Sequence, residues 1–191
     1  MTSAYITYTD TKSLYNSSQQ LPLIVIDSPK CYAVISLYGG QLLEFKAQNK
    51  PAVLWLSPIA IFEQGKAIRG GVPICAPWFG PYKGEKDEGV KYPNHGFART
   101  SLWTQKSIDE LPNGDISIEL SMGDSPETKL IYKHKFIMKI CFILGDNITI
   151  DFKLTNLSQK TMPFEWALHS YFNVDDVSTI QVDGLAGLDY V

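Results

Sequence analysis

The sequence predicts an all-β protein folded as a sandwich of mainly antiparallel strands. Three observations carry this. Apolar residues alternate with polar ones at period two over several runs. Turn-forming residues separate those runs. No apolar pattern at the helical period is sustained anywhere.

Along the chain, apolar runs at 23–26, 32–38 and 53–56 read as strands, with Gly39-Gly40 breaking the second. Ile116, Ile118, Leu120 and Met122 alternate with Ser117, Glu119 and Ser121, which puts the apolar set on one face of a sheet. Residues 136–144 are apolar on nearly both faces and read as a central strand covered on each side. Ile148, Ile150, Phe152 and Leu154 alternate with Thr149, Asp151 and Lys153. Gly145-Asp146-Asn147 and Pro112-Asn113-Gly114-Asp115 read as turns joining these strands. Residues 80–94 are charged and rich in Gly and Pro, as expected of a surface loop. Residues 179–191 look strand-like and end on an apolar residue without a polar tail, so the chain is expected to have been cut rather than finished.

Composition narrows the function classes. A chain of 191 residues, 45% hydrophobic, supports one sizeable core, and a single domain over 1–191 is expected. The net charge is −3 with no basic stripe, which argues against nucleic acid as a partner. No apolar stretch approaches a membrane span, and the first residues lack the pattern of a signal peptide. Cys31, Cys75 and Cys141 are odd in number and widely spaced, which suits reduced thiols, a cytoplasmic location and no metal cluster. Cys75 lies in the motif region, where it could line a pocket, but it is expected to pack.

The basic residues are unevenly distributed. There are fifteen lysines but two arginines, Arg69 and Arg99, and both lie in the densest motif region. A guanidinium is a planar fork that donates paired hydrogen bonds to a phosphate or carboxylate, and lysine does this poorly. Two forks near a histidine suggest a small anionic ligand beside a proton donor or acceptor. The alternative is that each arginine pairs with a local acid such as Glu63 or Asp87. His95 and His169 are candidate acid/base residues, because an imidazole exchanges protons near neutral pH. His134, between Lys133 and Lys135, suits a solvated or structural role. Trp166, Tyr171 and Phe172 could form an aromatic wall for a sugar ring or could be core.

The segments Ile68-Arg-Gly-Gly-Val-Pro-Ile-Cys-Ala-Pro-Trp-Phe-Gly80, His95-Gly-Phe-Ala-Arg99, Leu154–Phe164 and Ala167-Leu-His-Ser-Tyr-Phe172 together resemble the hexose-6-phosphate mutarotases of the aldose 1-epimerase superfamily. The similarity runs from about residue 20 to the end, and Val182-Asp-Gly-Leu-Ala-Gly-Leu-Asp-Tyr extends it. The resemblance implies a galactose-mutarotase-like β-supersandwich. It also implies cofactor-free interconversion of the α and β anomers of a hexose 6-phosphate. On this basis His169 is the general acid at the ring oxygen, and His95 hydrogen-bonds substrate near the reacting centre. Arg69 and Arg99 match positions that contact the substrate phosphate. The family's carboxylate base lies further toward the C-terminus than this sequence reaches. Asp189 is read as a turn or strand-edge carboxylate rather than as that base. The chain is thus expected to be roughly two-thirds of a mutarotase domain, with unpaired edges and exposed apolar faces. Alone it is expected to have weak or absent catalysis unless a partner supplies the base, and a sugar-phosphate-binding module is the alternative. A phosphoryl-transfer enzyme with a histidine nucleophile would carry Arg immediately before His-Gly on an α/β fold. Here Asn94 precedes His95 and the strand pattern differs. The preferred hexose and the oligomeric state are not legible.

Overall fold

The computed structural model describes residues 4–189. Strands β1 (Ile6–Asp10), β2 (Pro22–Asp27), β3 (Cys31–Ser36) and β4 (Gln41–Ala47) form one antiparallel sheet in sequence order. A two-residue strand β5 (Ile74–Cys75) follows. Strands β6 (Thr104–Glu110), β7 (Ile116–Gly123), β8 (Phe136–Leu144) and β9 (Ile148–Asn156) form a second four-stranded antiparallel sheet. Near the end, β10 (Ala167–Leu168) returns to pair with β5. Two short helices, α1 (Thr11–Tyr15) and α2 (Pro126–Lys129), decorate the loops.

The two sheets share a core. Ile24, Ile26, Ala33, Ile35 and Phe45 of the first sheet belong to one buried cluster with Ile116, Ile118, Leu120, Phe136, Ile140 and Phe142 of the second. This is the sandwich that period-two alternation requires, because each sheet hides one apolar face on the other. A smaller cluster of Leu23, Val34, Leu43, Phe62 and Ile68 covers the outer face of the first sheet. The doubly covered strand is therefore β3, buried at five of its six positions. The sequence pointed instead to 136–144. In β8 the residues Phe136, Met138, Ile140, Phe142 and Leu144 are buried, but those between them are only half-buried. Ile137, Cys141 and Ile143 make the run look two-sided without a layer covering that second face.

The two expected turns join β6 to β7 and β8 to β9. The chain leaves β3 and turns at Gly39-Gly40, both at positive φ. The run at 53–56 is not a strand. It makes only isolated bridges, Leu54 to Phe172 and Leu56 to Gly70. No strand forms over 179–189, where the apolar side chains are exposed. The last two residues of that expected strand lie outside the described residues. The loop at 80–94 is more than a solvated connector. Tyr82 and Tyr92 stack at 4.4 Å, both rings lie against Trp78, and the Trp78 indole donates to the Pro93 carbonyl at 2.9 Å.

No helix among the described residues is long and apolar enough to cross a membrane. The strand β9 lies at the edge of its sheet, and Ile148, Ile150, Phe152 and Leu154 on it are only half-buried.

Candidate active site

The β5–β10 ribbon sets the geometry. Ala167 pairs with Cys75 and Leu168 with Ile74. The register continues past the ribbon, where the His169 N–H donates to the Pro73 carbonyl at 2.9 Å and the Tyr171 N–H to Gly71 at 2.8 Å. Cys75 is fully buried here, burial raises its thiol pKa, and its role is packing, as expected. The segment that begins at Arg69 thus carries His169 along its flank.

His95 arrives from the other side. Ala76 bridges to Gly96, and the Phe97 and Ala98 N–H groups both donate to the Ala76 carbonyl. Gly96 has a φ of 68°, and a Cβ there would land on the Ala76 carbonyl. Only glycine allows so close a backbone approach. His95 itself has a φ of 63°, the left-handed region that costs a non-glycine residue about 1 kcal/mol. Two hydrogen bonds to Gly80 hold it there. The His95 N–H donates to the Gly80 carbonyl at 2.8 Å, and the Gly80 N–H donates to His95 Nδ1 at 3.1 Å.

The second bond fixes the tautomer. A backbone N–H can only donate, so Nδ1 must accept and the ring proton sits on Nε2. Burial, then the positive charges of Arg99 and His169, lower the His95 pKa below its usual value. His95 is therefore a neutral hydrogen-bond donor at neutral pH.

The side chains form a row of rings. Trp55 and Tyr171 have centroids 5.9 Å apart, Tyr171 and His169 5.0 Å, His169 and His95 6.0 Å, and His95 and Phe79 4.8 Å. Both histidines are half-buried. Two cavities of about 580 and 550 Å³ lie elsewhere, one around Trp78, Tyr82 and Tyr132 and one around Tyr15, Trp55 and Phe62, and neither histidine lines them.

Arg99 is close enough for its charge to act on His95. Its Nη2 donates to the Asn94 carbonyl at 2.9 Å, while its buried Nε has no partner. Among the described residues neither arginine forms an ion pair. The acids proposed as local partners are taken by lysines, Glu63 by Lys66 at 2.9 Å and Asp87 by Lys133 at 2.8 Å. Arg69 is exposed, and its carbonyl accepts from the Ser57 N–H at 3.1 Å.

The fold thus gathers His95, His169 and Arg99, and Arg69 lies on the segment that flanks His169. Of the three aromatic candidates, Tyr171 joins the histidines. Trp166 stacks on Phe152 of β9 at 4.8 Å instead, and Phe172 is 64% exposed. His134 leans on Tyr132 at 4.8 Å, away from the pair, as expected of a structural histidine. Sequence reasoning missed Trp55 and Phe79, which end the row of rings. Phe79-Gly80 closes the first motif, but nothing in its spacing showed that it would meet His95. Among the described residues, the ring contacts and hydrogen bonds of His95 and His169 are to aromatic rings and backbone, and no carboxylate takes part in them.

Comparison with known proteins bears on the family and the fold. The family model described as aldose 1-epimerase matches residues 22–191. A protein of Escherichia coli (strain K12) whose assigned name is glucose-6-phosphate 1-epimerase is 40% identical over 166 residues, 87% of this chain and 53% of that protein. A plant relative from Cenchrus ciliaris with the same assigned name is 37% identical, over 84% of this chain and 49% of its own length. A crystal structure from Salmonella typhimurium, titled as a mutarotase, superposes with a TM-score of 0.79 at 33% identity, over 92% of this chain and 54% of that one. The galactose mutarotase-like fold recurs in a protein of Clostridium acetobutylicum at a TM-score of 0.71 and 22% identity. The chain spans about half the length of these relatives, less than the two-thirds expected from the sequence. It belongs to the aldose 1-epimerase family.

Proposed function

We propose that the His95–His169 site serves the interconversion of α and β anomers of hexose 6-phosphates, with glucose 6-phosphate as the preferred substrate. One observation carries the reading. A neutral histidine donor faces a second imidazole beside an arginine that forms no ion pair among the described residues. Family membership supplies the reaction class. The relatives' assigned name, glucose-6-phosphate 1-epimerase, supports the phosphate sugar.

In this reading Arg69 and Arg99 bind the phosphate dianion through their forked N–H groups. Tyr171 and Phe79 flank the sugar ring. A base removes the proton of the anomeric hydroxyl while His169 donates a proton to the ring oxygen. The C1–O5 bond breaks and the open-chain aldehyde forms. Rotation about C1–C2 presents the other carbonyl face. The ring then closes as O5 returns its proton to His169 and the anomeric oxygen is reprotonated. His95, through Nε2–H, stabilises the developing negative charge on oxygen without changing its own protonation. No cofactor enters these steps. The whole chain acts as one domain in the cytoplasm.

The second reading is a module that binds the sugar phosphate without turnover. It is favoured by the hydrogen bonds and ring contacts of the two histidines, which among the described residues include no carboxylate. Exchange spectroscopy on glucose 6-phosphate, with glucose in parallel, separates the two. Exchange above the spontaneous rate for the phosphate sugar alone, cut by about 10²-fold or more in His169→Asn, supports catalysis. Saturable binding with exchange at the spontaneous rate supports the module. Neither binding nor exchange would reject both.

A further inference from the structure

We propose that Glu165 is a positioning residue for His95, fixing which imidazole nitrogen presents a proton to the site. Glu165 is exposed, and among the described residues it hydrogen-bonds to neither histidine, yet it braces the turn that holds His95. Its N–H donates to the Pro77 carbonyl at 3.0 Å, and its Oε2 accepts from the Phe79 N–H at 3.1 Å. One residue thus clamps residues 77 and 79 from both ends of its own backbone and side chain. The next residue, Gly80, makes the reciprocal pair with His95, accepting from its N–H and donating to its Nδ1. The Phe79 ring meets the His95 ring edge-on at 4.8 Å. The path from Glu165 to the imidazole is therefore two hydrogen bonds and one turn of backbone.

The physical logic concerns direction. A bond from the Gly80 N–H to Nδ1 demands that this N–H point into the ring plane. The 77–80 turn sets that orientation, and the hydrogen bond from the Phe79 amide to the Glu165 side-chain oxygen restrains the turn. Without it the Phe79 amide turns to solvent, Gly80 is released, and His95 is free to place its proton on Nδ1. That tautomer would present a lone pair where the site needs a donor. Glu165 also lies four residues before His169 on the segment that enters β10, so it ties the two histidine segments together. Its charge is not among the influences on the His95 pKa, which are burial, Arg99 and His169. It acts through geometry.

This rests on reading His95 as a substrate-facing donor, but its test needs no substrate. The chain is labelled with ¹⁵N-histidine and the imidazole nitrogens are observed by long-range proton–nitrogen NMR at a pH where His95 is neutral. The three histidines are assigned with His95→Gln, His134→Gln and His169→Gln. The wild-type His95 should show an unprotonated Nδ1 and a protonated Nε2. Glu165→Ala and the isosteric Glu165→Met should move the two shifts toward each other as the tautomer ratio drops about fivefold, the scale set by one net hydrogen bond. Glu165→Gln keeps an acceptor oxygen at the same reach and should restore the wild-type pattern. Wild-type His95 shifts in both Glu165→Ala and Glu165→Met would overturn the proposal. So would equal disturbance by Glu165→Gln, which would assign the effect to charge. A failure of sugar-phosphate binding or turnover leaves this comparison intact, so the two readings fail separately.

Discussion

The arginines and His95 carry most of the account at the scale of single residues. A site that binds phosphate through planar forks should not accept lysine in their place, even though charge is kept. Arg99→Lys should weaken glucose 6-phosphate binding by about tenfold, the loss of one charge-assisted hydrogen bond beyond what an ammonium recovers. Arg69→Lys should do the same, and titration calorimetry reads both. Unchanged affinity in either would remove that arginine from the phosphate clamp. His95 makes a separate prediction about stability. Its folded pKa lies below the usual 6.5, so the unfolded chain binds a proton that the folded chain resists. The stabilising contribution of the neutral ring is complete above about pH 6.5 and is lost as pH falls through the folded pKa. Thermal unfolding of wild type and His95→Gln should show wild type losing stability relative to the variant as pH drops below that value. Parallel curves would mean that His95 has no depressed pKa.

Elements bring these residues together, and here the backbone decides. Gly96→Ala forces a Cβ onto the Ala76 carbonyl at a positive φ. It should cost about 3 kcal/mol, a magnitude typical of strain at a special backbone position, and urea unfolding measures it. A loss below about 1 kcal/mol would mean that the 95–98 turn can move away from β5. The same elements show what a sequence can and cannot reveal. The alternation in β7 and β9 was legible because each has one apolar face and the turns between strands are rich in Gly, Asn and Asp. Strands β1 and β6 were not, because Thr7, Tyr8 and Thr9, and Thr104 through Ser107, are polar edge-strand residues with no apolar partner face to betray them. The run at 53–56 misled because it is apolar for a different reason, Leu54 and Leu56 each making a single bridge to a distant segment. His95, His169 and both arginines could be singled out by residue type and motif. Glu165 and Phe79 could not, since their part in the site depends on a turn meeting a loop segment 86 residues away in sequence.

Across the whole molecule the sandwich is unevenly covered. Sheet β1–β4 has both faces packed, whereas β9 is an edge strand with a half-open apolar face. Beside it Leu157, which follows the strand, and Trp166, which stacks on Phe152, are 50% and 47% exposed. Together they are the kind of contiguous apolar surface that associates in water. The 191-residue chain should bind the dye ANS and self-associate with concentration in sedimentation velocity experiments. Leu157→Lys with Trp166→Lys should reduce both without lowering the melting temperature appreciably, since neither residue is buried. A monodisperse monomer that leaves ANS dark would show that this surface is covered in solution.

Both functional readings share one claim, that this surface selects a sugar for its phosphate. The direct measurement is calorimetric titration of the 191-residue chain with glucose 6-phosphate and, separately, with glucose. The account predicts saturable binding of glucose 6-phosphate at least about tenfold tighter than glucose, since only the phosphate engages the guanidinium forks. Equal affinity for the two sugars, or saturable binding of glucose alone, would contradict it.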